Sequence, residues 1–237
     1  MQTTRRWHQQ WRAQRRTKQC APDSDTVDWL GTLSIWHNNK PVYTFYSSQQ
    51  DTRLRSHRIK KAHGMLPSMY TMHTRRPDLY PDGLCRVCNL EIEDNEHIWQ
   101  CTATEKERNT IWEDGLKKIH TWGRRAINAY NRARREQWEK RKEGPPPTPL
   151  MWYKPSIEAC RYVLHQIIAR PTMLNGGWSA ISIFRGYVPR KLATLWRPWF
   201  RDTTAAVVTQ VVRTFCRFIE EKGREILWKQ RRDKTVE

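Results

Sequence analysis

Apolar residues in two long stretches recur at three- and four-residue steps, the spacing that places side chains on one face of a helix. In the first stretch they are Ile111, Trp112, Leu116, Ile119, Trp122, Ile127, Tyr130 and Trp138. In the second they are Val208, Val211, Val212, Phe215, Ile219, Ile226 and Leu227. The spacing predicts one long or broken helix over Glu105–Glu143, and another over Thr204–Lys229 that is capped by Asp202 or Thr203.

Shorter helices are predicted where apolar steps lie between capping residues and breakers. The first covers 50–63, with Ser47 or Ser48 as its cap and Gly64 as its stop, and the second covers Ser68–Arg75, with Pro67 as its first residue. The others are expected at Ser156–Ala169, Ser179–Arg185 and Arg190–Phe200. Residues Val27–Tyr46 fit either a short hairpin or an irregular connector. The chain is therefore predicted to be mainly α.

A proline-rich run, Gly144-Pro145-Pro146-Pro147-Thr148-Pro149, divides the chain, because proline removes backbone donors and forbids helix. We interpret residues 144–155 as the main linker between a segment at 51–143 and a C-terminal helical region at 156–237. Residues 1–50 are interpreted as a basic N-terminal arm and connector. The first twenty residues carry six basic side chains and no acid, with Trp7 and Trp11 one helical turn apart.

The spacing Cys85-x2-Cys88, then His97-x3-Cys101, is the pattern with the most specific chemistry. A Cys-x2-Cys turn directs two sulfurs at one centre, and residues at i and i+4 are neighbours on a helical turn. Four such ligands favour Zn²⁺, and with no position left for water the site is typical of structural zinc. We therefore predict a small CCHC zinc knuckle at 85–101. The alternative is a pair of buried or redox-active thiols, although the βαβ pattern of a redox fold is missing.

The net charge of +19 and the isoelectric point near 10.1 indicate a phosphate-bearing partner, such as RNA or DNA. The acids Glu91, Glu93, Asp94 and Glu96 surround the zinc ligands and should repel phosphate at the tip of the knuckle. Binding is therefore assigned to the flanks, where Arg55, Arg58 and Lys61 would form one stripe on a helix. The other expected contacts are Arg53, Lys60, Arg75, Arg76 and, between the two turn cysteines, Arg86. A solvated helix face or an acidic protein partner is the alternative.

Catalytic signatures are missing from the sequence, and we predict that the chain is not an enzyme. A polymerase or nuclease holds Mg²⁺ with closely paired carboxylates, and no Asp-Asp pair occurs in the sequence. A metal-dependent endonuclease built from Asp78 or Asp82 with Glu220 and Lys222 is the lesser alternative. Such short matches arise by chance.

Location is predicted from what the sequence lacks. The N-terminus has no apolar signal-peptide core, and no apolar run has the length of a membrane span. Cys20, Cys160 and Cys216 lie far apart, as is typical of reduced thiols. We expect a nuclear or cytoplasmic protein that is neither secreted nor bound to a membrane.

A resemblance to a known family follows from three motifs. They are Arg58-Ile59-Lys60-Lys61-Ala62-His63-Gly64-Met65-Leu66-Pro67-Ser68-Met69, Arg75-Arg76-Pro77-Asp78-Leu79-Tyr80, and the zinc ligands with Ile98-Trp99-Gln100. This order resembles the zinc-binding segment that follows the polymerase in non-LTR retrotransposon reverse transcriptases, particularly fungal ones. The tail Phe184-Arg185-Gly186-Tyr187-Val188-Pro189, with Trp228 and Arg231-Arg232, is similar to the C-terminal helical region of those proteins.

The resemblance implies nucleic-acid binding, with the ligand role carried to Cys85, Cys88, His97 and Cys101. It also implies a basic-turn role for Arg58, Lys60, Lys61, His63, Leu66 and Pro67, and a polymerase or other retroelement protein as a further partner. The polymerase itself and the carboxylates of a ribonuclease H domain are missing. The chain is thus predicted to be a zinc-stabilised nucleic-acid-binding module without catalysis. The alternative is a structural or protein-interaction module whose nucleic-acid binding has decayed.

Overall fold

The computed structural model describes residues 22–37, 48–168, 177–200 and 203–236, and helices dominate all four ranges. The helices are α1 (Trp29–Trp36), α2 (Gln49–Ala62), α3 (Met69–Arg75), α4 (His97–Gln100), α5 (Glu105–Arg141), α6 (Ile157–Ile168), α7 (Ala180–Phe184), α8 (Arg190–Trp196), α9 (Ala205–Gly223) and α10 (Lys229–Val236). No strand forms in these ranges, which contain two isolated antiparallel bridges, Val27 with Pro189 and Leu84 with Ile92. The mainly α class is confirmed. None of the described helices has both the length and the apolar character of a transmembrane span.

Helix α5 is continuous over its 37 residues, which corresponds to about 55 Å. It ends where Lys142 adopts a left-handed conformation, with φ of 52°. Helix α9 packs closely against it at Gly115. A Cβ atom at that position would lie 2.9 Å from Phe215 Cε2 and 3.1 Å from Ile219 Cδ1. The absence of a side chain therefore allows the two longest helices of the described chain to approach each other.

Three predicted helix boundaries are wrong in detail. The cap of α9 is Thr204, whose hydroxyl accepts from Val207 N at 3.4 Å; Thr203 precedes it, and Asp202 lies outside the described residues. The helix does not end at Lys229, because a π-helical turn at Arg224–Trp228 leads directly into α10. Ser68 caps α3, so Pro67 precedes the helix instead of beginning it. In contrast, Ser48 caps α2 as expected and accepts from Asp51 N.

The described first half of the Val27–Tyr46 segment is neither a hairpin nor an irregular connector, since α1 occupies it. Asp28 caps α1 by accepting from Gly31 N at 3.3 Å. Trp29 and Trp36 then turn inward and contact Tyr187 edge-on at ring-centroid distances of 6.5 and 5.4 Å. The remainder of that segment and the predicted basic arm fall on residues 38–47 and 1–21, outside the described chain.

A hydrophobic cluster draws described residues from both sides of the proline-rich run. Trp112 of α5 contacts Phe184 at 5.2 Å and Phe215 at 6.0 Å, measured between ring centroids. Trp196 of α8 meets the same Phe215 at 5.3 Å. Burial of these large rings stabilises the fold. The domain boundaries stay predictions, but the 51–143 and 156–237 segments share this core.

The proline-rich run returns along the last turns of α5, and we call residues 144–152 the strap. The amide of Asn131 donates to Leu150 O at 2.9 Å and accepts from Leu150 N at 3.0 Å. Trp138 Nε1 donates to Gly144 O at 3.0 Å. At the end of the strap, Trp152 Nε1 donates to His120 Nδ1 at 2.8 Å. The strap is thus fixed to the helix at both ends.

The contact of Trp152 with Gly123 provides a test of the strap. A Cβ at Gly123 would lie 1.8 Å from Trp152 Cη2, so Gly123→Ala should displace the indole and destabilise the protein by about 1–3 kcal/mol. Urea unfolding measures this cost. In a Trp152→Ala background the same substitution should cost much less, because the clash is gone. Equal costs in both backgrounds would show that the strap does not pack there.

Candidate metal centre

A tight reversal of the chain between Gly83 and Glu93 positions the first two candidate ligands. Glu93 N donates to Gly83 O at 2.8 Å, and Cys85 N donates to Glu91 O at 2.9 Å. Within the turn, Asn89 N donates to Cys85 O at 2.7 Å, and Asn89 itself has φ of 54°. Asn tolerates this left-handed conformation better than most residues. Cys85 and Cys88 are thereby held on the same turn.

The short helix α4 positions the other two ligands. Asp94 Oδ1 accepts from Glu96 N at 2.8 Å and from His97 N at 2.7 Å, which satisfies donors at the start of the helix. Cys101 N then donates to His97 O at 2.8 Å. One helical turn therefore places the imidazole and the thiol on the same side, as the i, i+4 spacing predicts.

The ligand atoms of Cys85, Cys88, His97 and Cys101 all lie within 4.8 Å of one another. Cys85 Sγ is 3.9 Å from Cys101 Sγ, and Cys88 Sγ is 3.5 Å from His97 Nε2. Cys85, His97 and Cys101 are buried, and Cys88 is half-buried. The four residues that the spacing selects converge in the structure and can hold a metal ion.

The histidine is oriented by a carboxylate behind it. His97 Nδ1 lies 3.1 Å from Glu91 Oε2, which leaves Nε2 directed at the cysteine sulfurs. A carboxylate in this position fixes the tautomer and the orientation of a metal-binding imidazole. Glu91 was expected only as a source of negative charge, and the structure adds this positioning contact.

Burial opposes the ionised form of two of the thiols. It raises the pKa of Cys85 to about 12 and also raises that of Cys101. Burial also acts to raise the pKa of the Cys88 thiol. The backbone N–H groups of Leu90 and Glu91 and the hydrogen bond to His97 outweigh it, and together they lower this pKa to about 7. Thiolates are the metal-binding form, and a bound cation is the partner that stabilises such buried sulfurs as anions.

The predicted basic stripe on α2 is wrong for two of its three members. Arg58 and Lys61 are each 1% exposed, and both contact Glu220 of α9. Arg58 Nε donates to Glu220 Oε2 at 3.1 Å, and Lys61 Nζ donates to Glu220 Oε1. Burial by itself would raise the pKa of Glu220, but the two cations lower it by more than burial raises it. The net shift is downward, so this carboxylate stays ionised. These side chains join α2 to α9 and do not form a surface for phosphate.

The expectation that Glu93 repels phosphate at the surface is also wrong, because Glu93 is fully buried. Its Oε1 accepts from Met69 N at 2.8 Å and from Arg231 Nε at 2.7 Å. Arg231 Nη2 donates to Pro67 O at 2.6 Å. The metal-site loop is thereby joined to the start of α3 and to α10. Glu220 and Arg231 were not predicted as partners of this region.

The other predicted nucleic-acid contacts differ in their accessibility. Arg53, Lys60 and Arg75 are exposed, whereas Arg55 and His63 are half-buried. Arg76 is exposed but pairs with Asp78 at 2.7 Å, and Arg86 pairs with Asp82 at 3.2 Å. Trp99, adjacent to the ligands, is 1% exposed and stacks on Phe184 at 5.9 Å, in agreement with a packing role.

Loss of the charge on Glu220 should destabilise the fold, since Arg58 and Lys61 would remain buried without an anion. We expect Glu220→Gln to lower the free energy of unfolding by about 3–5 kcal/mol in urea titrations. Glu221→Gln is the matched control, because Glu221 is 38% exposed and 3.5 Å from Arg58. It should cost less than about 1 kcal/mol. Equal effects of the two substitutions would contradict a buried ion network.

Comparison with known proteins finds no matching family model, no matching curated protein and no matching solved structure. The described geometry and the sequence motifs are therefore the basis for assigning a function to this chain.

Proposed function

We propose that Cys85, Cys88, His97 and Cys101 bind one structural Zn²⁺. The convergence of their ligand atoms within 4.8 Å is the observation that supports this. Sulfurs at about 2.3 Å from a tetrahedral zinc lie about 3.8 Å apart, close to the 3.9 Å between Cys85 Sγ and Cys101 Sγ. Three sulfurs and one imidazole favour zinc over harder ions that prefer oxygen. With four protein ligands the site has a structural role.

We further propose that this zinc-stabilised chain binds RNA or DNA and catalyses no reaction. The net charge of +19 supports this, as do the exposed basic residues Arg53 and Lys60 of α2 and Arg75 of α3. The resemblance to the zinc-binding segment of non-LTR retrotransposon reverse transcriptases is consistent with it. Zinc would act indirectly, because the loop that it closes contacts α3 and α10 through Glu93.

The acidic residues considered for a nuclease have other partners, which favours the proposal of no catalysis. Glu220 is paired with Arg58 and Lys61 in the interior, and Asp78 is paired with Arg76 at the surface. A two-metal site requires carboxylates that are close to each other and free to bind the ions.

A protein-interaction module is the second candidate, and one observation favours it. Arg58, Lys61 and Arg231 form buried ion pairs, which leaves fewer cations in this region to bind phosphate. The two functions differ in their dependence on salt. Phosphate binding weakens steeply as salt is added, because the release of counterions on binding becomes less favourable, whereas an apolar interface does not weaken in this way.

Elemental analysis of purified protein is expected to find one zinc per chain. Cys88→Ser should remove the metal and destabilise residues 83–101 by several kcal/mol, because ligation free energy is also folding free energy. Cys160→Ala is the control, since Cys160 is buried away from the site and should leave the zinc content unchanged. Protein that contains no zinc, and whose stability does not respond to added zinc or chelator, would refute the zinc site.

Gel-shift titrations with single- and double-stranded DNA and RNA test nucleic-acid binding. Lys60→Gln with Arg75→Gln should weaken binding and reduce the slope of log affinity against log salt by about one for each phosphate that the variant no longer binds. The variant should keep its zinc and its unfolding midpoint, because both side chains are exposed. Binding that does not change with salt would instead favour the protein-interaction module.

A further inference from the structure

A cleft of about 610 Å³ lies between α2 and the chain that runs from the π-helical turn into α10. Its walls come from 50–57 on one side and from 224–232 on the other. The size falls within the usual range of small-molecule sites, about 300–1,000 Å³. The cleft is separate from the cysteine cluster and contains none of its ligands.

Positive charge dominates the lining of the cleft. Arg53 projects from α2, and Arg224, Lys229 and Arg232 lie on the opposite wall. Glu225 is the acid among the lining residues; it pairs with Lys222 at 2.7 Å and lies 3.9 Å from Arg224 Nη2, which offsets part of the Arg224 charge. Arg232 contacts the exposed Asp233 at 2.9 Å, which offsets part of its charge. The excess of cations over acids suits an anionic ligand.

The π-helical turn at Arg224–Trp228 is a second sign of function. Such turns are rare and occur frequently at functional sites. Arg224, Trp228 and Arg232 follow one another at four-residue steps, a spacing that places them along one side of the helix. The turn therefore forms part of the charged wall of the cleft.

Two polar atoms beside the cleft are buried without a hydrogen-bond partner among the described residues: Arg224 Nε and His57 Nε2. A buried donor without an acceptor costs about 1–3 kcal/mol, and native structures keep few of them. Arg224 Nε–H can only donate, and a neutral imidazole can donate from Nε2. An oxygen-rich anion carries acceptors of the kind that both groups lack.

The cleft also has an apolar wall, formed by Leu54 and Trp228. The Trp228 indole packs against the His57 ring at 5.2 Å, and the Arg231 guanidinium lies 4.7 Å from the centroid of the indole ring. A ligand with a phosphate and a flat apolar ring matches both the charge and the apolar wall. Nucleotides combine these two groups.

We propose that this cleft binds one nucleotide unit, with its phosphate between Arg53, Arg224 and Lys229 and its base against Leu54 and Trp228. Where the nucleotide belongs to a nucleic-acid strand, the inference rests on the nucleic-acid binding proposed above. It then assigns that binding to a defined place, the groove between α2 and α10. We call this groove the nucleotide cleft.

His57 provides a direct spectroscopic probe of the nucleotide cleft. Burial is the main cause that lowers its pKa to about 4; Lys61, Arg224 and Arg58 act in the same direction, and Glu220 opposes them. The imidazole is therefore neutral at pH 7. A phosphate bound between Arg53 and Lys229 adds negative charge nearby, which raises the pKa of His57. The same charge changes the surroundings of the neutral ring and so shifts its resonances at pH 7.

The experiment uses the full zinc-loaded chain and three probes: a twelve-residue oligothymidylate, adenosine monophosphate and inorganic phosphate. Affinity is measured by titration, and the His57 ring signal, assigned with His57→Gln, is followed by NMR. Arg53→Gln with Lys229→Gln should weaken oligonucleotide binding by about tenfold. The control, Lys140→Gln with Arg141→Gln, removes the same charge from the exposed end of α5 and should weaken it by less than about threefold.

Each outcome decides between the two proposals. If both double variants weaken oligonucleotide binding equally, the nucleotide cleft is refuted while nucleic-acid binding stands. If the oligonucleotide fails to bind but adenosine monophosphate shifts His57, the cleft stands and the proposed function fails. If phosphate alone binds as tightly as adenosine monophosphate, the base has no site and the nucleotide assignment is refuted. If no probe moves the His57 signal, the cleft is refuted outright.

Discussion

The structure depends on charges that are buried between helices. Glu220 of α9 binds Arg58 and Lys61 of α2, and Glu93 of the metal-site loop binds Arg231 of α10. Each pair joins segments more than one hundred residues apart in sequence. A buried ion without its partner is strongly destabilising. These pairs therefore fix how α2, the metal-site loop and the C-terminal helices are arranged.

Local signals were sufficient to predict most of the helices and the residues of the candidate metal centre. Helical periodicity located α5 and α9, and the hydroxyl of Ser48 marked the start of α2. The ligand spacing identified Cys85, Cys88, His97 and Cys101, because a turn and one helical step bring them together without any distant contact. Such features depend on neighbours in sequence, so a single sequence contains enough information for them.

Long-range pairing was not predictable in the same way. Arg58 and Lys61 were interpreted as phosphate-binding side chains on the surface of a helix, because charged residues are usually exposed. A signal was nevertheless present: Glu220 follows Cys216 by four residues and therefore lies on the buried side of the α9 stripe. A charged residue on an apolar face requires a partner, but the sequence does not say which of 43 basic side chains provides it. The hydroxyl cap Thr204 was missed for a simpler reason, since the adjacent Thr203 is chemically identical.

The strap along α5 has a consequence for which changes the chain tolerates. Asn131 holds Leu150 through its backbone, and Trp138 likewise contacts the backbone of Gly144, so neither contact requires a particular strap side chain. Prolines between Gly144 and Leu150 can thus be exchanged for other residues that favour an extended backbone. The spacing from Leu150 to Trp152 is instead constrained in length, because Trp152 must reach the surface left open by Gly123. Insertion or deletion of a residue between these two positions would separate the indole from its contact.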